Sequence, residues 1–245
     1  MAAALSAITE NIHFAQTDLV NWTLVSDDSG VILIDAGFPG QRDDVLRSLR
    51  DLGFEAGDVR AILLTHAHVD HLGAAIWFAK THDTPVFCHG AEVGHAKREY
   101  LEQVSPADLL TRAWNPRYLA WSMHIVGKGG LVREGIPTAQ ALTEDVAATL
   151  PGSPQLIPSP GHTGGHCSYV FGDVLVAGDA VVTGHPLITK GGPQLLPHIF
   201  NHDEAACERS LSALGLLDTQ VLLPGHGPAW RGPVREAAEL ALQRR

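Results

Sequence analysis

The chain has 245 residues, of which 45% are hydrophobic, so it is long enough to bury a sizeable core. Its 17 basic residues are outnumbered by 27 acidic ones, and the formal charge of −10 argues against a nucleic acid or an anionic membrane as partner. Three cysteines without close spacing, no run of 18 apolar residues and no signal-peptide pattern at the start predict a reducing, cytoplasmic location and no membrane span.

The first half of the sequence alternates predicted strands and helices. Residues 31–37 (VILIDAG) form a β-branched run that predicts a buried strand ending in Asp and Gly. Leucines and valine recur at helical spacing in the next segment, and Gly53 stands where a C-terminal cap belongs. The pattern predicts helices at 41–54 and 72–82, and further strands at 59–68 and 84–90.

The second half shows the same alternation without repeating the sequence. Residues 166–180 predict a pair of strands joined by a turn at Gly172 and Asp173. Residues 100–150 look helical but contain glycine breaks between 127 and 130. The remaining predicted elements are a helix at 203–217, a strand at 219–227 and a closing helix at 232–245.

Polar residues follow the predicted strands, each beside a glycine or another turn-forming residue. A residue at the end of a strand is held by a rigid element, so a functional site that needs precise geometry is best built from such residues. Imidazole and carboxylate together suit zinc or iron, whereas no thiolate occurs at these exits. The residues are Asp35, the cluster HAHVDH at 66–71, His162, Asp179 and His226.

The HAHVDH cluster, followed by Gly-His, Gly-Asp and Gly-His turns, resembles the metallo-β-lactamase superfamily, and in particular its glyoxalase II and lactonase-like branch. The resemblance covers the chain from Asp35 to His226. It implies an α+β fold, an αββα sandwich in which two β-sheets pack face to face with helices on the outer faces. It also implies one domain over 1–245, with a helical insertion at about 100–150 that covers a metal site.

The same resemblance implies two metal sites that share one carboxylate. Zinc is the expected metal at both sites, with manganese or iron as other divalent candidates. Binding would lower the pKa of a shared water towards about 7, and the resulting hydroxide would attack a carbonyl. Asp70 would also orient the hydroxide or carry its proton, and Asp35 would support the ligands from behind. The implied ligands are His66, His68 and His162 at one metal, Asp70, His71 and His226 at the other, and Asp179 between them.

These features predict a dinuclear zinc hydrolase acting on a small ester, lactone or thioester. His68 stands where flavo-diiron oxidoreductases usually have glutamate, which disfavours that branch. Asp179 and the missing signal peptide disfavour β-lactam hydrolysis except as a minor activity. The tyrosine that lactonases place shortly after the aspartate is absent from VVTGHPL at 181–187. A mononuclear-iron enzyme of the persulfide dioxygenase kind is the main alternative, and a non-catalytic binding module is a third.

Four aromatic residues lie between 100 and 121, in the segment predicted to cover the metals. Trp114, Tyr118 and Trp121 are the predicted substrate contacts, forming an apolar wall for an acyl or aromatic group. Packing against the sandwich, or a contact in a homodimer, explains the same residues equally well. Elsewhere, we expect His166 to have a supporting role, and we favour a surface role over substrate contact for His185 and His198.

Overall fold

The computed structural model describes residues 3–244, which form two β-sheets. The first sheet consists of β1 (Ala4–Ala7), β2 (Ile12–Gln16), β3 (Trp22–Asp27), β4 (Gly30–Ile34), β5 (Val59–Leu63), β6 (Val86–Cys88) and β7 (Gln140–Ala141), and these strands are neighbours in chain order. The second sheet consists of β8 (Gln155–Pro158), β9 (Cys167–Phe171), β10 (Val174–Gly178), β11 (Val221–Pro224) and β12 (Trp230–Arg231), also in chain order.

Helices cover the outer faces of both sheets. The helices are α1 (Arg42–Asp51), α2 (Val69–His82), α3 (Val93–Lys97), α4 (Pro106–Leu110), α5 (Pro116–Gly127), α6 (Glu144–Ala147), α7 (Glu204–Leu214) and α8 (Val234–Gln243). Apolar side chains of α1 and α2 pack on the seven-stranded sheet, and those of α7 and α8 pack on the five-stranded sheet. This arrangement confirms the predicted αββα sandwich.

The alternation of side chains along β4 shows how the layers are built. Val31 and Leu33 face the helical layer, whereas Ile32 and Ile34 face the second sheet and pack in one cluster with Tyr169. All four β4 side chains are almost completely buried. A strand buried on both faces requires a continuous apolar run, and the run at residues 31–34 therefore predicts β4 directly from the sequence.

The strand directions bring the predicted ligands to one edge of the sandwich. β4 and β5 are parallel, so Asp35 and His66 leave the first sheet at the same edge. β10 and β11 are also parallel, and Asp179 and His226 follow their ends. β9 runs antiparallel to β10, so the loop before it, which carries His162, reaches the same place.

The sequence predicted the central elements to within a few residues. One difference matters for the site: α2 begins at Val69 rather than at residue 72, so Asp70 and His71 lie in its first turn and not in a preceding loop. The segment 100–150 contains α4 and α5, but its last part returns to the first sheet as β7 and is followed by α6. Within residues 3–244, no helix is both long and apolar enough to cross a membrane.

Candidate metal centre

The predicted ligands converge in the structure into three overlapping groups. Within each group, one potential ligand atom per residue lies within 4.8 Å of the others. His66 and His71 each belong to two of the groups, and together they link all three. The groups are His66, His68 and His162; His66, His71 and Asp179; and Asp70, His71 and His226.

Asp179 lies at the middle of this cluster. Its Oδ2 atom is 3.2 Å from Nε2 of His226 and 3.3 Å from Nε2 of His162. The same oxygen is 3.6 Å from Nε2 of His71 and 4.0 Å from Nε2 of His66. One carboxylate oxygen therefore lies among imidazole nitrogens of four predicted ligands.

Each of the five histidines has its outward-facing ring nitrogen fixed by a protein group. Such a partner sets the orientation and the tautomer of a metal-binding histidine. His68 turns Nδ1 towards the centre, and the other four rings turn Nε2 towards it. The outer contacts are His66 Nδ1 with Thr65 Oγ1, His68 Nε2 with the Glu102 carbonyl, His71 Nδ1 with Asp35 Oδ2, His162 Nδ1 with Asn201 Oδ1, and His226 Nδ1 with the Leu19 carbonyl.

Several inward-facing atoms have no hydrogen-bond partner among the described residues. Nε2 of His66, Nε2 of His71 and Oδ1 of Asp179 are all buried and unpaired. An unsatisfied buried polar group costs about 1–3 kcal/mol, so three at one point call for a ligand that offsets the cost. Their chemistry, imidazole and carboxylate without thiolate, fits divalent zinc or iron.

The pKa values differ around the cluster: burial would lower those of His71 and His226, but nearby carboxylates outweigh burial and raise both. Burial, together with neighbouring imidazoles, holds the pKa values of His66 and His68 well below the ordinary value, so both rings are neutral. Burial alone would raise the pKa of Asp179, but the imidazoles of His226 and His71 hold it well below its ordinary value. Neutral imidazoles and an ionised carboxylate are the forms that bind metal ions, so metal binding would displace a proton from His71 and from His226.

The backbone is shaped to allow this convergence. Asp35 adopts a left-handed conformation with φ of 62°, and its carboxylate accepts hydrogen bonds from the backbone and the hydroxyl of Thr65, both at 2.8 Å. Gly225 passes so close to the centre that a Cβ atom there would overlap Oδ1 of Asp179. The glycine before His226 therefore leaves room for the shared carboxylate.

A cavity of about 700 Å³, including its mouth, opens above the cluster. Asp70 and Asp179 lie at its base, and Oδ2 of Asp70 is 3.6 Å from Nε2 of His226. Of the three predicted substrate contacts, Trp121 lines the cavity, whereas Trp114 and Tyr118 are not among its lining residues and Trp114 is 83% exposed. Apolar side chains form much of the wall, including Phe38, Val69, Leu109, Ile125 and Leu196.

The sequence profile of the metallo-β-lactamase superfamily matches residues 15–226 of this chain, which include every predicted ligand. The chain belongs to the metallo-β-lactamase superfamily. It is 31% identical over 229 residues to the probable metallo-hydrolase YflN of Bacillus subtilis strain 168, covering 89% of this chain and 80% of that protein.

Solved structures of the superfamily share the fold. The metallo-β-lactamase family protein TTHA1429 from Thermus thermophilus superposes with a TM-score of 0.66 at 24% identity, covering 96% of this chain and 79% of that one. The metallo-β-lactamase SMB-1, in a complex with mercaptoacetic acid, superposes with a TM-score of 0.68 at 18% identity, covering 99% and 95%. At these identities, the two structures support the αββα architecture alone.

Two residues of this superfamily member that the sequence did not assign to the site lie beside it. His185, for which a surface role was favoured, instead lines the cavity, and burial lowers its pKa to about 3. His198 is exposed, in agreement with the surface role predicted for it. His166 also has the supporting role predicted for it, because its Nε2 accepts a hydrogen bond from the Asp179 backbone.

Glu92 is the second residue that sequence reasoning missed. It is fully buried, and its carboxylate accepts hydrogen bonds from the backbone of Ala67 at 2.8 Å and from the hydroxyl of Thr163 at 2.8 Å. A third contact joins it to Nδ1 of His95 at 2.7 Å. Ala67 lies between the predicted ligands His66 and His68, and Thr163 follows the predicted ligand His162. The Glu92 carboxylate therefore connects the two loops that carry these histidines.

Proposed function

We propose that this chain is a hydrolase that holds two divalent metal ions, zinc in the first instance, and cleaves a small ester, lactone or thioester. The observation that carries the proposal is the position of Asp179, whose Oδ2 lies within 4.0 Å of Nε2 in four histidines. Two of these histidines, His66 and His162, belong to the group that contains His68, and the other two, His71 and His226, belong to the group that contains Asp70.

The relationship to other proteins supports the hydrolytic part of the proposal. YflN of Bacillus subtilis, which matches most of this chain, is named a probable metallo-hydrolase. The cavity supports the choice of a small substrate, since its base contains the cluster and its walls are mainly apolar.

Bound metal ions would supply an activated water and neutralise negative charge on a carbonyl oxygen. The chain's own residues would do the rest. Asp70 is partly exposed to the cavity, with 19% of its side chain accessible, and would accept a proton from the attacking water at Oδ2. The apolar wall around Trp121 would hold the acyl portion and exclude bulk water.

Metal analysis tests this proposal against the mononuclear-iron alternative. Protein purified without added metal is expected to contain about two zinc ions per chain, because two ligand groups are preformed. About one iron ion per chain, with oxygen-dependent oxidation of a persulfide, would overturn the hydrolase proposal.

A substrate panel tests the chemistry separately from the metal. The purified protein is assayed with lactones, thioesters, aryl esters and a β-lactam under the same conditions. We expect hydrolysis of at least one ester, lactone or thioester, with β-lactam turnover absent or minor. Metal-loaded protein that hydrolyses none of the carbonyl substrates would contradict the proposal and favour a binding role.

A further inference from the structure

His185 belongs to a group of aromatic rings next to the metal cluster. Its ring centroid lies 5.0 Å from that of His226, a predicted ligand, with the two planes nearly perpendicular. The rings of Trp121 and Phe200 lie 5.5 and 5.6 Å from His185, and 5.7 Å from each other. Three mutually contacting rings therefore form one corner of the cavity, directly beside the second ligand group.

The hydrogen bonding of His185 defines where its proton lies. Nδ1 accepts a hydrogen bond from the backbone N–H of Leu187 at 3.1 Å, so Nδ1 is unprotonated and the ring proton is on Nε2. Within residues 3–244, no group pairs with Nε2, and this atom is not among the fully buried unpaired ones. Because His185 lines the cavity, its Nε2–H is a donor available to a molecule bound there.

The loop that carries His185 is fixed from two sides. Arg117 on α5 donates from Nε to the Pro186 carbonyl at 2.5 Å and from Nη2 to the Ile188 carbonyl at 2.6 Å. Arg244, directly after α8, donates from Nη1 to the Gly191 carbonyl at 2.8 Å. A donor held in this way needs little reorganisation when charge develops opposite it, which is the condition for electrostatic catalysis.

We propose that His185 is a catalytic residue that donates a hydrogen bond from Nε2 to the carbonyl oxygen of the substrate. The inference rests on the proposed hydrolase function and adds a role for this chain's own residue. In the reaction, a bond forms between the water oxygen and the carbonyl carbon, and the carbonyl π electrons move to the oxygen that His185 contacts. When the C=O bond re-forms, the leaving group departs with a proton relayed by Asp70, and His185 keeps its own proton throughout.

Three substitutions at His185 separate hydrogen bonding from packing. His185→Phe keeps a ring against Trp121 and Phe200 but removes the donor, His185→Ala removes both, and His185→Gln restores an N–H donor. We expect kcat to fall about a hundredfold in His185→Phe and His185→Ala, the usual effect of losing one such donor, and to recover partly in His185→Gln. His198→Ala, an exposed histidine thirteen positions along, is the matched control and should leave kcat unchanged. Metal content and melting temperature are measured for every variant.

The leaving group provides the decisive comparison. A donor to the carbonyl oxygen predicts the same fold loss in His185→Phe for esters with good and poor leaving groups. A loss that grows with the pKa of the leaving group would overturn the proposal, because His185 would then be a proton donor. Normal kcat in His185→Phe would also overturn it, since packing alone would be sufficient.

Nitrogen-15 NMR of the zinc-loaded protein tests the inference without turnover. The imidazole signals, assigned by comparison with His185→Phe, should show the proton on Nε2, and addition of methylphosphonate as a tetrahedral anion should shift that proton downfield. A proton on Nδ1, or no response to methylphosphonate that has been shown to bind, would overturn the proposal. If the wild type hydrolyses no carbonyl substrate, the proposed function fails on that result, and the NMR result still decides whether His185 is a donor.

Discussion

Nδ1 of His71 lies 2.8 Å from Oδ2 of Asp35, and both side chains are almost completely buried. The contact joins two exits of the first sheet, since Asp35 follows β4 and His71 lies in the helix after β5. It directs the other nitrogen, Nε2, towards Asp179. Asp35 therefore acts on the metal centre through the orientation and basicity of His71.

Replacing Asp35 by asparagine tests this indirect role. Asparagine has the same size and tolerates the left-handed conformation at this position, but it lacks the negative charge that supports His71. We expect metal affinity at the second ligand group to fall about 10–100-fold while the first group is less affected. Titration with zinc against a chromophoric chelator measures this. Asp51→Asn on the exposed end of α1 is the control, and equal affinities in both variants would contradict the role.

Replacing Asp179 should reduce metal binding and turnover more than replacing Asp35. Asp179→Asn keeps the size of the side chain but removes the charge that offsets repulsion between two cations. We expect loss of one metal ion and a drop in turnover of at least about a hundredfold, comparable to losing a major electrostatic contact. Metal analysis and steady-state kinetics check both. A variant that retains two metals and normal turnover would show that Asp179 does not bridge them.

Removing the metal should lower the stability of the fold and abolish the activity. A ligand that binds only the folded state at a hundred times its Kd adds about 2.7 kcal/mol to the free energy of unfolding. Excess chelator should therefore abolish hydrolysis and lower the melting temperature, and zinc or manganese should restore both. Full activity in chelator, with metal loss verified, would exclude a metal-dependent mechanism.

Glu92 should contribute stability in a pH-dependent way. Burial raises its pKa, but hydrogen bonding to and charge on His95 outweigh burial and lower the pKa below the ordinary value of 4.5. A carboxyl whose pKa is lower in the folded than in the unfolded state stabilises the protein at pH values above its unfolded-state pKa. This stabilisation is lost as the pH falls through the folded-state pKa. In metal-free protein at neutral pH, Glu92→Gln should cost about 1–3 kcal/mol in urea unfolding.

The difference between wild type and Glu92→Gln should narrow when the same unfolding is measured at pH values below 4.5. Protonation makes the wild-type carboxyl resemble the amide of the variant, which is the reason for the convergence. A constant difference across pH would mean that the charge of Glu92 is not what stabilises the two loops.

The two tryptophans of the 100–121 segment should behave differently. Trp121 lines the cavity, so Trp121→Ala should reduce kcat/KM by a factor that grows with acyl length, without loss of metal. Trp114 is 83% exposed, so Trp114→Ala should leave kcat/KM unchanged for every chain length. Light scattering on both variants tests the predicted homodimer, because a shift to monomer in Trp114→Ala would assign this residue to a subunit contact.

The convergence of the predicted ligands could be anticipated from the sequence because each of these residues follows a recognisable local pattern. Asp35 and His66 follow continuous apolar runs. Such runs are typical of strands buried on both faces, so they predict a strand and the position of its end. The glycine before His226 belongs to the same local signal, since the close approach of Asp179 requires it. What the pattern did not contain was the start of α2, which has no side-chain cap at His68.

The residues that escaped prediction depend on contacts distant in sequence. Glu92 and His95 look like part of an exposed helix, and only the approach of Ala67 and Thr163 makes the carboxylate a buried tie between loops. His185 stands in a loop without periodicity, and Arg117, one of the two arginines that fix this loop, is 69 positions away from Pro186. A single sequence contains no local signal for such pairings.

The ligands come from both layers of the sandwich, and this affects how the molecule can fluctuate. His66 and His71 follow strands of the seven-stranded sheet, whereas His162, Asp179 and His226 follow or precede strands of the five-stranded sheet. Metal ions bound among them would therefore add to the hydrogen bonds that already join the two layers at this edge, such as those from the Cys167 N–H to the Thr65 carbonyl and from the Asn21 N–H to the Gly225 carbonyl. In loaded protein, amide protons of β5 and β10 would exchange mainly through one joint opening, and removal of the metal would make separate opening of each sheet edge easier.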